Sequence, residues 1–81
     1  MESKIVHYEK GLAEYYNLDY DRAITSFNQQ ILEYPDFPEV FLFRGHSKFI
    51  LGDKQGACLD WKKAQNLGNP EAGKFLIKFC G

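Results

Sequence analysis

Proline occurs three times in the 81 residues, tryptophan and methionine once each, and cysteine twice. Scarce proline and the lack of any low-complexity run exclude a disordered chain, because 44% apolar and 16% aromatic residues are enough to build a core. No apolar run approaches the length of a membrane span, and the opening MESKIVHYEK contains no hydrophobic segment of the kind that directs secretion. The expectation is a cytoplasmic protein with no membrane partner. Neither sign of charge dominates, and a net charge of −1 argues against nucleic acid as the main partner. The charge is nevertheless polarised. Residues 1–34 carry −3 and the remainder +2, a pattern that suits solvated helix faces or head-to-tail association.

The motifs of catalysis are also missing. There is no HExxH, GxSxG, glycine-rich phosphate loop or DxDxDG calcium loop, and His7 and His46 stand 39 residues apart. Asp19 and Asp21 need no catalytic role, since acids favour the positive end of a helix. A protein without enzymatic activity, metal or cofactor is expected. Cys58 and Cys80 belong to no CxxC or Cys/His cluster. Each falls among apolar residues at helical spacing, so both read as buried, reduced thiols.

What is present is helical periodicity. Ile5, Tyr8, Leu12, Tyr15 and Tyr16 lie on one stripe of a first helix from Lys4 to about Leu18. Asp19 then serves as N-cap of a second helix, whose apolar face is Ala23, Ile24, Phe27, Ile31 and Tyr34 and which Pro35 ends. Asp36 reads as the next N-cap, with Pro38 in the first turn and Glu39 completing a capping box. That third helix stops at Leu51. Gly52 suits a left-handed C-terminal residue, Asp53 caps a fourth helix ending at Leu67-Gly68, and Asn69-Pro70 starts a fifth from Glu71 to Cys80. The fold class expected is all-α, with five helices and no strand in a single domain.

At an offset of 34 residues, Gly11 aligns with Gly45, Asp19 with Asp53, Ala23 with Ala57 and Phe27 with Trp61. Tyr15 aligns with Phe49 and Tyr16 with Ile50. With Lys10-Gly11-Leu12-Ala13 and Arg44-Gly45-His46-Ser47 opening the pattern, the chain resembles the tetratricopeptide repeat family. One repeat spans about 4–37 and a second about 38–69, with a capping helix at about 70–80. Ala57, Trp61, Ala64, Gly68 and Ala72 also resemble the related Sel-like repeats. Glu14 and Lys48 replace an aromatic of the family pattern, Leu18 its turn glycine and Gln30 a small residue.

The resemblance implies a right-handed helical-hairpin solenoid and a non-catalytic role in protein–protein interaction, in which a groove holds a segment of another protein. The groove positions carried over from the family are Ile5, Tyr8, Leu12, Tyr15 and Tyr16 in the first repeat. In the second they are Glu39, Leu42, His46, Phe49 and Ile50. These side chains are aromatic and aliphatic, and the family's basic clamp for a terminal carboxylate is missing. Core packing is the competing reading of the same stripe. Two repeats are also few for a solenoid, so self-assembly, as in a homodimer, is the alternative function.

Overall fold

The computed structural model describes residues 3–81, which form helices joined by short connections, with no strand among them. The five helices are α1 (Val6–Tyr16), α2 (Tyr20–Glu33), α3 (Pro38–Ile50), α4 (Lys54–Asn66) and α5 (Ala72–Cys80). Each packs against the next, and α1 also meets α3.

Three of the four joints are built alike. The N–H of Leu18, Gly52 and Gly68 reaches back to Tyr15, Phe49 and Gln65, while that of Asp19, Asp53 and Asn69 reaches Glu14, Lys48 and Ala64. Such paired closures satisfy the last carbonyls of a helix and require a left-handed residue at the centre. Gly52 and Gly68 supply it at φ 93° and 101°. The side chain that follows then accepts from amides at the start of the next helix. Asp19 accepts from the Arg22 N–H, Asp53 from Gly56, and Asn69 from both Glu71 and Ala72. Asp19 and Asp53 are thus the N-caps of α2 and α4, while Asn69 ties down the turn that leads to Glu71, the N-cap of α5.

Leu18 occupies the first of these left-handed positions at φ 64°. A β-carbon there crowds the backbone, at a cost of about 1–2 kcal/mol, and the side chain, 72% exposed, recovers little by packing. Leu18→Gly is therefore expected to stabilise the chain by up to about 1 kcal/mol, after the entropy of the freer glycine is deducted. An increase in urea midpoint would show it; a decrease would mean that Leu18 packs usefully.

The joint between α2 and α3 departs from the expected capping box. Phe37, not Asp36, is the N-cap of α3, and no side chain bonds to the cap. Residue 37 is extended because Pro38 follows it and disfavours the helical conformation there, so the helix begins at Pro38; the Phe37 ring meets Tyr8 edge-on at 4.8 Å. Glu39 instead accepts a 3.4 Å hydrogen bond from Asn69.

Close approach of the helices explains the paired glycines. A β-carbon at Gly11 would come within 2.6 Å of Phe27 Cδ1, and one at Gly45 within 2.6 Å of Trp61 Nε1. The core joins Ala23, Phe27, Val40, Phe41, Leu42, Ala57, Trp61, Ala64 and Ala72. Trp61 is only 1% exposed, a plug between α3, α4 and α5.

The departures from the repeat pattern also find reasons. Gln30 is fully buried because its amide does the work of a missing cap. Its Oε1 accepts from the Tyr8 N–H at 2.9 Å, an otherwise open donor of the first turn of α1, and its Nε2 donates to Lys4 O at 2.8 Å. Glu14 accepts from Ser26 across the first hairpin. At the equivalent places of the second hairpin, Lys48 lies 3.2 Å from Asp60, which Arg44 also grips through two hydrogen bonds of 2.8 and 2.7 Å. Asp60 is buried, and these two cations are what make its burial tolerable.

The expectation of reduced thiols is wrong. Cys58 on α4 and Cys80 on α5 form a disulfide, their Cα atoms 6.0 Å apart. The spacing among apolar residues reported the shared face of the two helices correctly. That same sharing brings the sulfurs together.

Candidate functional site

α3 forms the floor of a cleft with His46, Phe49 and Ile50; Tyr15 of α1 walls one side, and Phe75 and Phe79 of α5 wall the other. Trp61 lies behind, and the space is about 280 Å³. The walls are held by ring contacts: His46 to Phe75 at 4.5 Å, Phe49 to Phe79 at 4.6 Å, and Tyr15 to Phe43 at 5.4 Å. Such tilted and edge-on pairs fix ring positions as well as burying area.

Four of the ten groove positions inferred from the sequence therefore converge: Tyr15, His46, Phe49 and Ile50. Tyr16 stands beside them, 69% exposed, with its ring 5.2 Å from that of Tyr15. The others lie elsewhere. Leu42 is 3% exposed and belongs to the core, so it has no surface to offer a partner. Leu12 and Tyr8 pack against the same core, Tyr8 between Phe27, Phe37 and Phe43. Ile5 lines a separate hollow with Gln30, Tyr34 and Phe37, and Glu39 faces Asn69. Sequence reasoning missed Phe75 and Phe79, because the capping helix lies outside the 34-residue register and no groove position carries over onto it.

Burial holds Tyr8, Tyr15 and His46 toward their neutral forms. Burial, then the Glu39 carboxylate and the Tyr16 phenol, push the Tyr8 hydroxyl up to about 12. Burial, followed by Tyr20 and Tyr16, also raises that of Tyr15. His46 is held below the ordinary imidazole value by burial, with the Glu71 carboxylate opposing. Its Nδ1 accepts a 3.1 Å hydrogen bond from the Trp61 indole N–H, which a doubly protonated ring could not do.

Stability should follow from this. The unfolded chain takes up a proton at His46 at higher pH than the folded one, so the contribution is complete above the unfolded imidazole value of 6.5 and is lost as pH falls from there toward the lower folded value. Urea midpoints measured at about pH 7.5 and about pH 5 should differ more for the wild type than for His46→Gln, whose amide oxygen can still accept from Trp61. Equal differences would mean that His46 titrates as freely in the fold as out of it.

A roomier hollow of about 480 Å³ flanks the disulfide between Lys54, Gln55, Leu59 and Gly81. No aromatic side chain lines it. Among the described residues no cluster of His, Cys, Asp and Glu could hold a metal ion, and no helix is long and apolar enough to cross a membrane. Compared with protein-family models, curated proteins and solved structures, the chain matches none.

Proposed function

We propose that this chain is a non-catalytic interaction module, built as two tetratricopeptide-like repeats and a capping helix, that holds a segment of another protein in the α1/α3/α5 cleft. The observation that carries the reading is the convergence of partly exposed rings from three helices. A stripe used only for packing would be covered, whereas Tyr15, His46, Phe49, Phe75 and Phe79 remain partly open and Tyr16 and Ile50 largely so. Aromatic side chains of this kind supply most of the energy of small interfaces. Nothing in the cleft lining is charged, so binding should be nearly insensitive to salt, and neither nucleic acid nor a membrane surface is the partner.

The test is affinity capture with the wild type, Ile50→Arg and Tyr16→Ala, each first shown to keep its helical circular dichroism. Both residues are exposed at the cleft, so the fold should survive while capture is lost. Folded variants that retain every partner would place the binding surface elsewhere.

A second reading, self-assembly, is favoured by Leu59 and Ile77, which are large, apolar and more exposed than any residue of the cleft. Sedimentation of the purified chain distinguishes the two, because only a self-assembling module changes mass with its own concentration. The disulfide bears on location. Such cross-links persist in oxidising surroundings and are rare in the cytosol, so an oxidising compartment suits this chain better than the cytoplasm expected from the sequence.

A further inference from the structure

The Trp61–His46 hydrogen bond determines what the cleft can recognise. An indole N–H donates and cannot accept, so the His46 Nδ1 that lies 3.1 Å from it carries no proton. The proton of the neutral ring is therefore on Nε2. That nitrogen has no hydrogen-bond partner among the described residues, and the ring lines the cleft. The site thus presents one oriented donor, together with the Tyr15 hydroxyl, amid apolar rings.

Size and charge narrow the occupant. About 280 Å³ is at or below the smallest pockets that take drug-sized molecules, and suits a single side chain. With no cation or carboxylate in the lining, a charged side chain would lose its water without gaining an ion-pair partner, and a lysine would find only ring faces that are already engaged with one another. At the rim, Tyr16 and Ile50 extend the apolar surface past the cavity itself, which a chain continuing on both sides could cover.

We propose that the cleft takes one neutral apolar side chain of a protein segment, leucine or phenylalanine, with the neighbouring backbone carbonyl accepting a hydrogen bond from His46 Nε2. This rests on the reading of the chain as a protein-binding module and names the chemistry of its ligand. His46 then has two jobs. Nδ1 anchors the ring to the core through Trp61, and Nε2 sets the register of the bound segment.

The experiment uses the full chain with its disulfide intact, labelled with ¹⁵N. Blocked peptides acetyl-Ala-X-Ala-amide, with X as Leu, Phe, Gly, Asp or Lys, are titrated while Trp61 emission, the imidazole nitrogens and all backbone amides are followed. Trp61 is the only tryptophan, so its emission reports the cleft alone. The Leu and Phe peptides should shift Trp61 emission and the Nε2 resonance, leave Nδ1 an acceptor, and bind about tenfold more tightly than the other three. A trans-alkene isostere of the Leu–Ala bond, which keeps the shape and removes the carbonyl with its amide N–H, should bind about tenfold more weakly than its parent, whereas the matching ester, which loses the N–H alone, should bind more tightly than the alkene. Equal binding of the isostere overturns the proposal. Peptides that move amides elsewhere while His46 and Trp61 stay still overturn it too, but leave the protein-binding reading intact. No movement of any amide by any peptide removes both.

Discussion

Trp61→Ala is expected to cost about 3–5 kcal/mol, the range for truncating a large buried aromatic. The side chain is 1% exposed and its ring touches His46, Phe49, Phe75 and Phe79, so the cavity left behind would open between three helices. Collapse into that cavity is restricted. Gly45 already brings the α3 backbone against the ring, and the disulfide fixes α5 on the other side. At about 0.05–0.15 kcal/mol per residue, a chain of this length holds roughly 4–12 kcal/mol in all, so the variant should lose between about a quarter of that margin and all of it. Urea titration followed by circular dichroism measures this, since the variant lacks the fluorophore. Trp61→Phe separates the contributions: it keeps much of the ring and loses the hydrogen bond to His46, and should cost clearly less. A loss below about 1 kcal/mol for the alanine variant would mean that the neighbouring rings close over the gap.

The equivalence of Phe27 and Trp61, each set against a glycine 16 residues earlier, was legible in the sequence because it needs only the helix period and the offset of 34. The caps at Asp19 and Asp53 and the start signal at Asn69 were legible for a similar reason. A cap is decided within one turn, by residues adjacent in sequence. What sequence reasoning missed depends on distances between helices. Gln30 caps α1 from 22 and 26 residues away, and nothing near Tyr8 or Lys4 announces it. Asp36 has the better capping side chain, but Pro38 keeps Phe37 out of the helical region and so makes Phe37 the N-cap, a local signal that was overlooked. The cleft was half legible. The groove positions of α1 and α3 came from the family resemblance, but which members are core and which are open depends on how far α3 covers α1 and α5 covers α3. Leu42 lies under the packing, and Ile50 lies past its edge.

That dependence on α5 makes the Cys58–Cys80 cross-link the second large expectation. Reduction, or the Cys58→Ser/Cys80→Ser variant, should destabilise the chain by about 3 kcal/mol, the chain-entropy value for a closed loop of 22 residues. The effect on α5 should exceed its share. A helix of nine residues is too short to persist in water alone, and its hold on the rest is the stripe of Phe75, Leu76 and Phe79 together with Cys80 at its end. Loss of the cross-link should therefore let α5 detach before the two hairpins unfold. Phe75 and Phe79 would leave the cleft and water would reach Trp61. Urea unfolding with and without reductant, followed in parallel by circular dichroism and Trp61 emission, tests both parts. The serine variant should behave like the reduced wild type and ignore reductant. Under reduction the emission should move to longer wavelength ahead of the loss of helix, giving two transitions where the oxidised chain has one. Coincident transitions with a loss below about 1 kcal/mol would mean that the apolar stripe holds α5 unaided, and that the cleft keeps its shape in reducing and oxidising surroundings alike.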